Sequence, residues 1–180
     1  MKKLTFLILF LSTVVGYTQN LYKATDGEIS FFSETPIENI DAVNKGVKAL
    51  INTKNGEVAF IVANIDFHFE KPLMEEHFNE NYMESDKYKT SVFKGKIIGN
   101  VEYTIDGKYP VKVKGMLNMH GVEKEREMEG ELIVKDGKVN IVSEFNVDLK
   151  DHKIKIPKLV VKNIAETVKV TVNLNFELKK

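Results

Sequence analysis

Four histidines, His68, His77, His120 and His152, are the side chains of this sequence best suited to chemistry. An imidazole serves as a metal ligand or an acid–base group when partners converge on it. His68 and His77 stand nine residues apart across Pro72, His120 belongs to a different hairpin, and His152 sits in "LKDHKIKIP". No H-x-H or H-x-x-x-H spacing occurs, and there is no cysteine to complete a zinc set. The serines Ser30, Ser33, Ser85, Ser91 and Ser143 lack the G-x-S-x-G setting of a nucleophile. The run "EKEREMEGE" from Glu123 to Glu131 alternates in sign around one large apolar residue, Met128, and reads as a solvent-facing strand surface. Asp66 and His68 alternate with Ile65, Phe67 and Phe69, so an extended segment would put the two groups on opposite faces. Acid, base and electrophile never assemble in one place. The expectation is a protein with no catalytic residue, no metal and no cofactor.

His77 has another use. It lies in "KPLMEEHFNENYMESDKYK", Lys71 to Lys89, a segment rich in methionine and aromatic rings. Pro72 suits the first position of a helix, where its missing N–H costs nothing. Glu75 and Glu76 then occupy the first turn, where negative charge suits the helix dipole. Met74, Phe78 and Tyr82 recur every fourth residue and share a face flanked by Leu73, His77 and Asn81, with Glu75, Glu76, Asn79 and Glu80 pointing away. The spacing predicts an amphipathic helix of about three turns that caps one end of a larger structure, either as a plug or as the flexible apolar wall of a cavity. On the second reading His77 lines the mouth and offers a ring nitrogen to a polar head group. His120, followed by Gly121, reads as a strand-end residue whose ring bonds a loop.

The rest of the chain alternates. "VKVTVNLNFEL" is apolar at Val168, Val170, Val172, Leu174, Phe176 and Leu178, a half-buried antiparallel strand. Val139–Leu149 repeats the pattern, and "YPVKVKGMLNMHG" sets Val111, Val113, Leu117 and Met119 against Lys112, Lys114, Asn118 and His120. "FKGKIIGNV" adds Phe93, Ile97 and Val101, with earlier strands expected over 28–33, 47–53 and 58–69. Asn-Gly at 55–56 and Asp-Gly at 106–107 and 136–137 mark hairpin turns. About eight such strands hide their apolar faces in a sandwich or in a closed barrel. Their length and the mid-strand glycines Gly95, Gly99 and Gly115 favour closure. A barrel of about eight strands is either filled by its own side chains or holds one slim ligand.

The chain has 180 residues, one domain's worth, with 26 basic and 26 acidic side chains. "MKKLTFLILFLSTVVGYTQN" has two lysines, an apolar run too short for a comfortable span, and small residues before a cut, the layout of a secretory signal over residues 1–18. The alternative is a retained anchor helix. Removing the signal leaves 24 basic against 26 acidic groups, so no basic field exists for nucleic acid. The expected mature domain, 19–180, is periplasmic or secreted, without a stable membrane span, and a homodimer is possible.

"ISFFSETPIENIDAVN", "LMEEHFNENYMESDKYK" before "FKGKI", and "VKVKGMLNMHGVEKE" together resemble the YceI family over essentially the whole mature chain. The most recognisable element is Gly115, Leu117, His120, Gly121, Val122 and Lys124. One departure is Lys89, where relatives commonly have proline. The resemblance implies an all-β, lipocalin-like antiparallel barrel of about eight strands, with a short helix capping one end and a long isoprenoid or similar apolar lipid inside. Expected wall residues are Phe31, Phe60, Phe67, Met74, His77, Phe78, Tyr82, Phe93, Leu117, Met119 and Phe145. The competing readings are a lipid or quinone enzyme working through His77 or His120, and a ligand-free envelope interaction protein.

Overall fold

The computed structural model describes residues 20–157 and 163–179; the expected signal over 1–18 lies outside them. Ten strands follow one another: β1 (Leu21–Ser33), β2 (Ile40–Asn44), β3 (Lys48–Asn52), β4 (Glu57–Ala63), β5 (His68–Phe69), β6 (Thr90–Ile98), β7 (Gly107–Met119), β8 (Val122–Lys135), β9 (Lys138–Asp148) and β10 (Thr167–Leu178). One helix, α1 (Pro72–His77), lies between β5 and β6. Eight strands, β1, β3, β4, β6, β7, β8, β9 and β10, form a closed antiparallel ring, because β10 pairs back onto β1 from Tyr22 to Phe32. Closure leaves no free edge in the ring. Near its C-terminal end β1 exchanges β3 for β2, which pairs in turn with the two-residue β5.

Alternation sets the faces. On β8, Glu125, Glu127, Glu129 and Glu131 look outward and meet Lys114, Lys112 and Lys108 of β7 in a ladder of ion pairs at 3.2–3.6 Å. Met128, Leu132 and Val134 of the same strand look inward, with Leu132 and Val134 buried. The acidic run is thus one face of a strand, as its alternation suggests. Strand β6 starts at Thr90, directly after Lys89.

Several local expectations are corrected. The segment 58–69 is not one strand, because Asn64–Asp66 form a 3-10 turn. Asn64 is fully buried there, donating to the Tyr88 carbonyl at 2.6 Å and accepting from the Ser91 hydroxyl at 2.8 Å. Satisfying that buried amide outweighs continued pairing, and Ile65 is left in water while Phe67 turns inward. Asp106-Gly107 is no hairpin turn. The β6–β7 connection is longer, and Asp106 accepts from the Asp136 N–H at 3.0 Å. Of the two-residue turns, Asp136-Gly137 was anticipated and His120-Gly121 was not; all four residues have φ between 51° and 73°. His120 therefore leaves the outer face assigned to it beside Lys112 and is buried at the turn.

The helix also departs from a plain amphipathic one. After His77 it continues as a π turn, Phe78–Tyr82, closed by Met83 N–H donating to the Phe78 carbonyl at 2.8 Å. Met83, which closes the turn, is buried, while Leu73 in the first turn of α1 is left in water. Glu75 does not point away, since its carboxylate accepts from the Phe69 N–H at 3.2 Å. Asn79 is likewise engaged, donating to the Glu75 carbonyl and accepting from Ser85.

Gly95 and Gly115 face each other across β6 and β7. A Cβ at Gly115 would stand 2.2 Å from the Lys94 carbonyl oxygen and 2.4 Å from the Gly95 Cα. One at Gly95 would meet the Lys114 carbonyl oxygen at 2.6 Å and the Phe93 ring at 2.7 Å. These glycines permit close backbone approach and give Phe93 room to lie flat.

One end of the barrel is solid. Ile51, Val134, Val139, Leu174 and Phe176 are at most 2 % exposed, with Tyr22 and Tyr103 packed beside them at 6.1 Å between ring centroids. Burial, with Tyr22 adding to it, pushes the Tyr103 phenol up to about 12. Each of the large aliphatic or aromatic side chains here stabilises the fold by about 1.5–3 kcal/mol.

Candidate functional site

Above this solid end the barrel is hollow. A cavity of ≈ 360 Å³ extends from a floor of Val58, Ile97, Val111, Leu132 and Ile141 to the helical end. The hollowness shows in the burial pattern as well. Phe31, Phe60, Val113, Leu117, Met128, Phe145 and Val170 point inward yet are only half-buried, because their inner surfaces border empty space. Gly130 on β8 pairs with Ser143 on β9, and these small residues face the cavity.

All eleven residues expected on the wall line this one cavity. Phe31, Phe60, Phe93 and Phe145 come from β1, β4, β6 and β9, while Leu117 and Met119 come from β7. Phe67 follows the 3-10 turn. Met74 and His77 come from α1, and Phe78 and Tyr82 from the π turn. Phe78 is the keystone of the helical end, with its ring 5.1 Å from Phe69, 5.5 Å from Phe31 and 5.6 Å from Phe67. Such ring pairs contribute about 0.5–1.5 kcal/mol each beyond area burial. The helix is therefore packed onto the wall as well as facing the space. Burial also raises the Tyr82 phenol, which stays neutral.

Apart from Leu117, the aliphatic lining was not among the expected wall residues. Val62, Val113, Val168, Val170 and Val172 all belong to the inward alternating set, so the period of two marks them as well. Missed too were the polar groups towards the open end, Ser33, Glu38, Asn64 and Ser91, which come from four separate segments. Glu38 accepts from the Lys71 ammonium at 2.5 Å, joining the β1–β2 loop to the start of α1 across the mouth.

The four histidines do not converge on the cavity. His77 is exposed at the rim. His68 is exposed, 3.4 Å from the Glu75 carboxylate, and does not line the cavity. His120 does not line the cavity; its ring bonds the His152 carbonyl at 2.9 Å and Glu84 at 2.8 Å. His152 is fully buried, and its Nδ1–H is shared between the Met119 and Val122 carbonyls at 3.2 Å each. Among the described residues no three His, Asp or Glu groups converge as a metal site.

Burial lowers the pKa of His152, and the Arg126 guanidinium adds to the effect against the two carbonyls, which oppose it. The unfolded chain binds this proton more readily, so stability is full above about pH 6.5 and falls on acidification. Replacing His152 with Gln should flatten that part of the unfolding free energy between about pH 5 and 7. Chemical denaturation at each pH checks it; an unchanged slope would contradict the assignment.

A closed eight-stranded antiparallel barrel with one solid end, one helix-covered end and an apolar cavity between them is a lipocalin-like binding fold. The sequence pattern of the YceI-like domain family matches residues 5–176, and the chain belongs to that family. Solved structures agree on the fold. A polyisoprenoid binding domain from Saccharophagus degradans, implicated in plant cell wall breakdown, superposes with TM-score 0.75 at 14% identity, covering 88% of this chain and 98% of its own. BcnA of Burkholderia cenocepacia gives 0.70 at 12% identity, covering 83% and 95%. The YceI protein of Campylobacter jejuni gives 0.58 at 14% identity over 100% of both chains. Sequence comparison with curated proteins finds no match. Among the described residues no helix is long and apolar enough to cross a membrane.

Proposed function

We propose that this protein holds a long apolar lipid, of polyisoprenoid type, in its barrel for transport, storage or protection, and that it does so as an exported protein. One observation carries the reading: an apolar cavity of ≈ 360 Å³ bounded by a solid floor and a ring-packed helix. That volume lies within the range of small-molecule sites, roughly 300–1,000 Å³. Each methylene moved from water into the cavity contributes about 0.8 kcal/mol, so ten or so offer on the order of 8 kcal/mol before ordering costs. Affinity then needs no strong polar contact, in keeping with a lining that is mostly apolar. The family membership and the polyisoprenoid binding domain among the structural neighbours support the ligand class. The signal-like N-terminus supports export to the periplasm or beyond.

Native mass spectrometry of the protein purified from its own cell envelope tests this. The expected spectrum shows an adduct that dissociates to the bare chain plus an apolar lipid. A bare chain that also fails to take up an added prenol of matching length would overturn the reading.

A further inference from the structure

The buried His120 is unused by the lipid reading, yet its geometry is demanding. Nδ1 faces the His152 carbonyl oxygen at 2.9 Å, and Nε2 faces the Glu84 carboxylate at 2.8 Å. Both facing groups are acceptors. A neutral imidazole has one N–H, so in that state one contact sets a lone pair against an oxygen. The two bonds together require a proton on each ring nitrogen.

Three segments of the open end meet at this ring. Glu84 follows the π turn and leads out of the helical cover. His120 forms the β7–β8 turn. His152 ends the 3-10 turn Leu149–His152 that opens the β9–β10 connection, and Leu149 and Ile154 there line the cavity. Four described non-glycine residues have positive φ, and three of them are Glu84 (45°), His120 (51°) and Lys153 (57°), the last directly after His152. Left-handed backbone at such residues costs on the order of 1 kcal/mol each and persists where surrounding contacts over-determine it. The strain is concentrated where the three segments are tied together.

The charged neighbours can be named element by element. From the helix exit come Glu84, Lys87 at 3.8 Å from the Glu84 carboxylate, and the Tyr88 ring with its centroid 4.4 Å from that of His120. Lys87 also lies over the Tyr88 ring, and Asp86 of the same turn is exposed. From the 3-10 turn comes the His152 carbonyl, with Asp151 before it in the turn and Lys153 directly after the turn. From β8 comes Arg126, paired with Asp151 at 3.3 Å. Glu84 is the one carboxylate on the imidazole ring itself, and the Tyr88 face suits a cationic ring.

We propose that His120 is a proton-operated clasp: doubly protonated, it fastens the exit of the helical cover through Glu84 to the β7–β8 turn and the β9–β10 connection, and losing one proton unfastens the cover. The sign follows from the partners. The two bonds are made together only while both ring nitrogens carry protons, so raising the pH breaks one of them. A cargo held under a fastened cover leaves slowly, and one under an unfastened cover exchanges faster.

The test uses the empty full-length protein, so its result does not depend on whether the cavity carries lipid. Nitrogen-edited NMR reads the His120 ring between about pH 5.5 and 9, and hydrogen exchange, corrected for the intrinsic rate at each pH, reads the Met83, Ser85 and Tyr88 amides. Those amides bond the Phe78, Asn79 and Glu84 carbonyls across the cover's exit. Two ring protons are expected at the acid end, with protection of these amides dropping about tenfold as one is lost, the worth of one charge-assisted hydrogen bond. Amides of β10 should not change with it. Glu84→Gln should level the pH dependence, because its side-chain amide donates to a neutral ring or accepts from a charged one. A single ring proton at the acid end, flat protection in the wild-type chain, or full pH dependence in Glu84→Gln would each overturn the clasp.

Discussion

Val113→Trp should abolish lipid uptake while leaving the barrel folded. Val113 looks inward from the middle of β7, between Ile97 of β6 and Met128 of β8, and is only half-buried because it borders the cavity. An indole there projects into space the ligand would occupy. Displacing about four methylenes of cargo at about 0.8 kcal/mol each weakens binding by about 3 kcal/mol, or a hundredfold or more. The ring has room, so the melting temperature should move by about 2 °C at most, less than the roughly 1–3 kcal/mol penalty of overfilling a packed core would cause. Met116→Trp is the control: three residues along the same strand, Met116 points outward and is 38% exposed. Titration with a fluorescent prenol, with thermal melts of both variants, settles the matter. Equal affinity in the two variants would mean that the ligand lies elsewhere.

Gly115→Val should be strongly destabilising. The new Cβ would lie 2.2 Å from one backbone oxygen and 2.4 Å from a backbone carbon on β6, and neither can swing aside as a side-chain tip would. Strands β6 and β7 would have to part at the centre of their ladder, opening the ring that carries the cavity. A loss of about 3 kcal/mol or more is expected, at or beyond the usual range for overpacking. Gly137→Ala provides the contrast. Its φ of 73° is unfavourable for alanine, but no atom lies within 4 Å of the added carbon, so about 1 kcal/mol should be lost. Urea denaturation of both variants measures the difference, and similar losses would show that close strand approach is not what Gly115 provides.

Legibility from sequence varied with how local the cause was. Strand β10 and the inward faces of β7 and β9 could be read directly, because a period of two needs no knowledge of neighbours. The Asp136-Gly137 turn was equally plain. His120 was legible as a strand-end residue whose ring bonds a loop, but not as half of a two-residue turn, because the groups that hold its ring stand 32 and 36 residues away. The break at Asn64 was invisible for a similar reason, since its partners Tyr88 and Ser91 stand beyond an intervening helix. The π turn at Phe78–Tyr82 also escaped, although the four-residue spacing of Met74, Phe78 and Tyr82 located the helix itself.

The amino-acid order determined which side chains are apolar and which of them share a face, and part of the cavity lining follows from that pattern. Whether those faces meet in a filled centre was decided by the tertiary fold. Pairing of β10 with β1 closes the ring, Gly95 with Gly115 draws two strands together, and Gly130 beside Ser143 puts small groups on the inner wall. Hydrophobic periodicity is identical for a plugged and an open barrel, because it records direction and not distance across the interior. Only the registered positions of all eight strands state how far apart opposite walls stand.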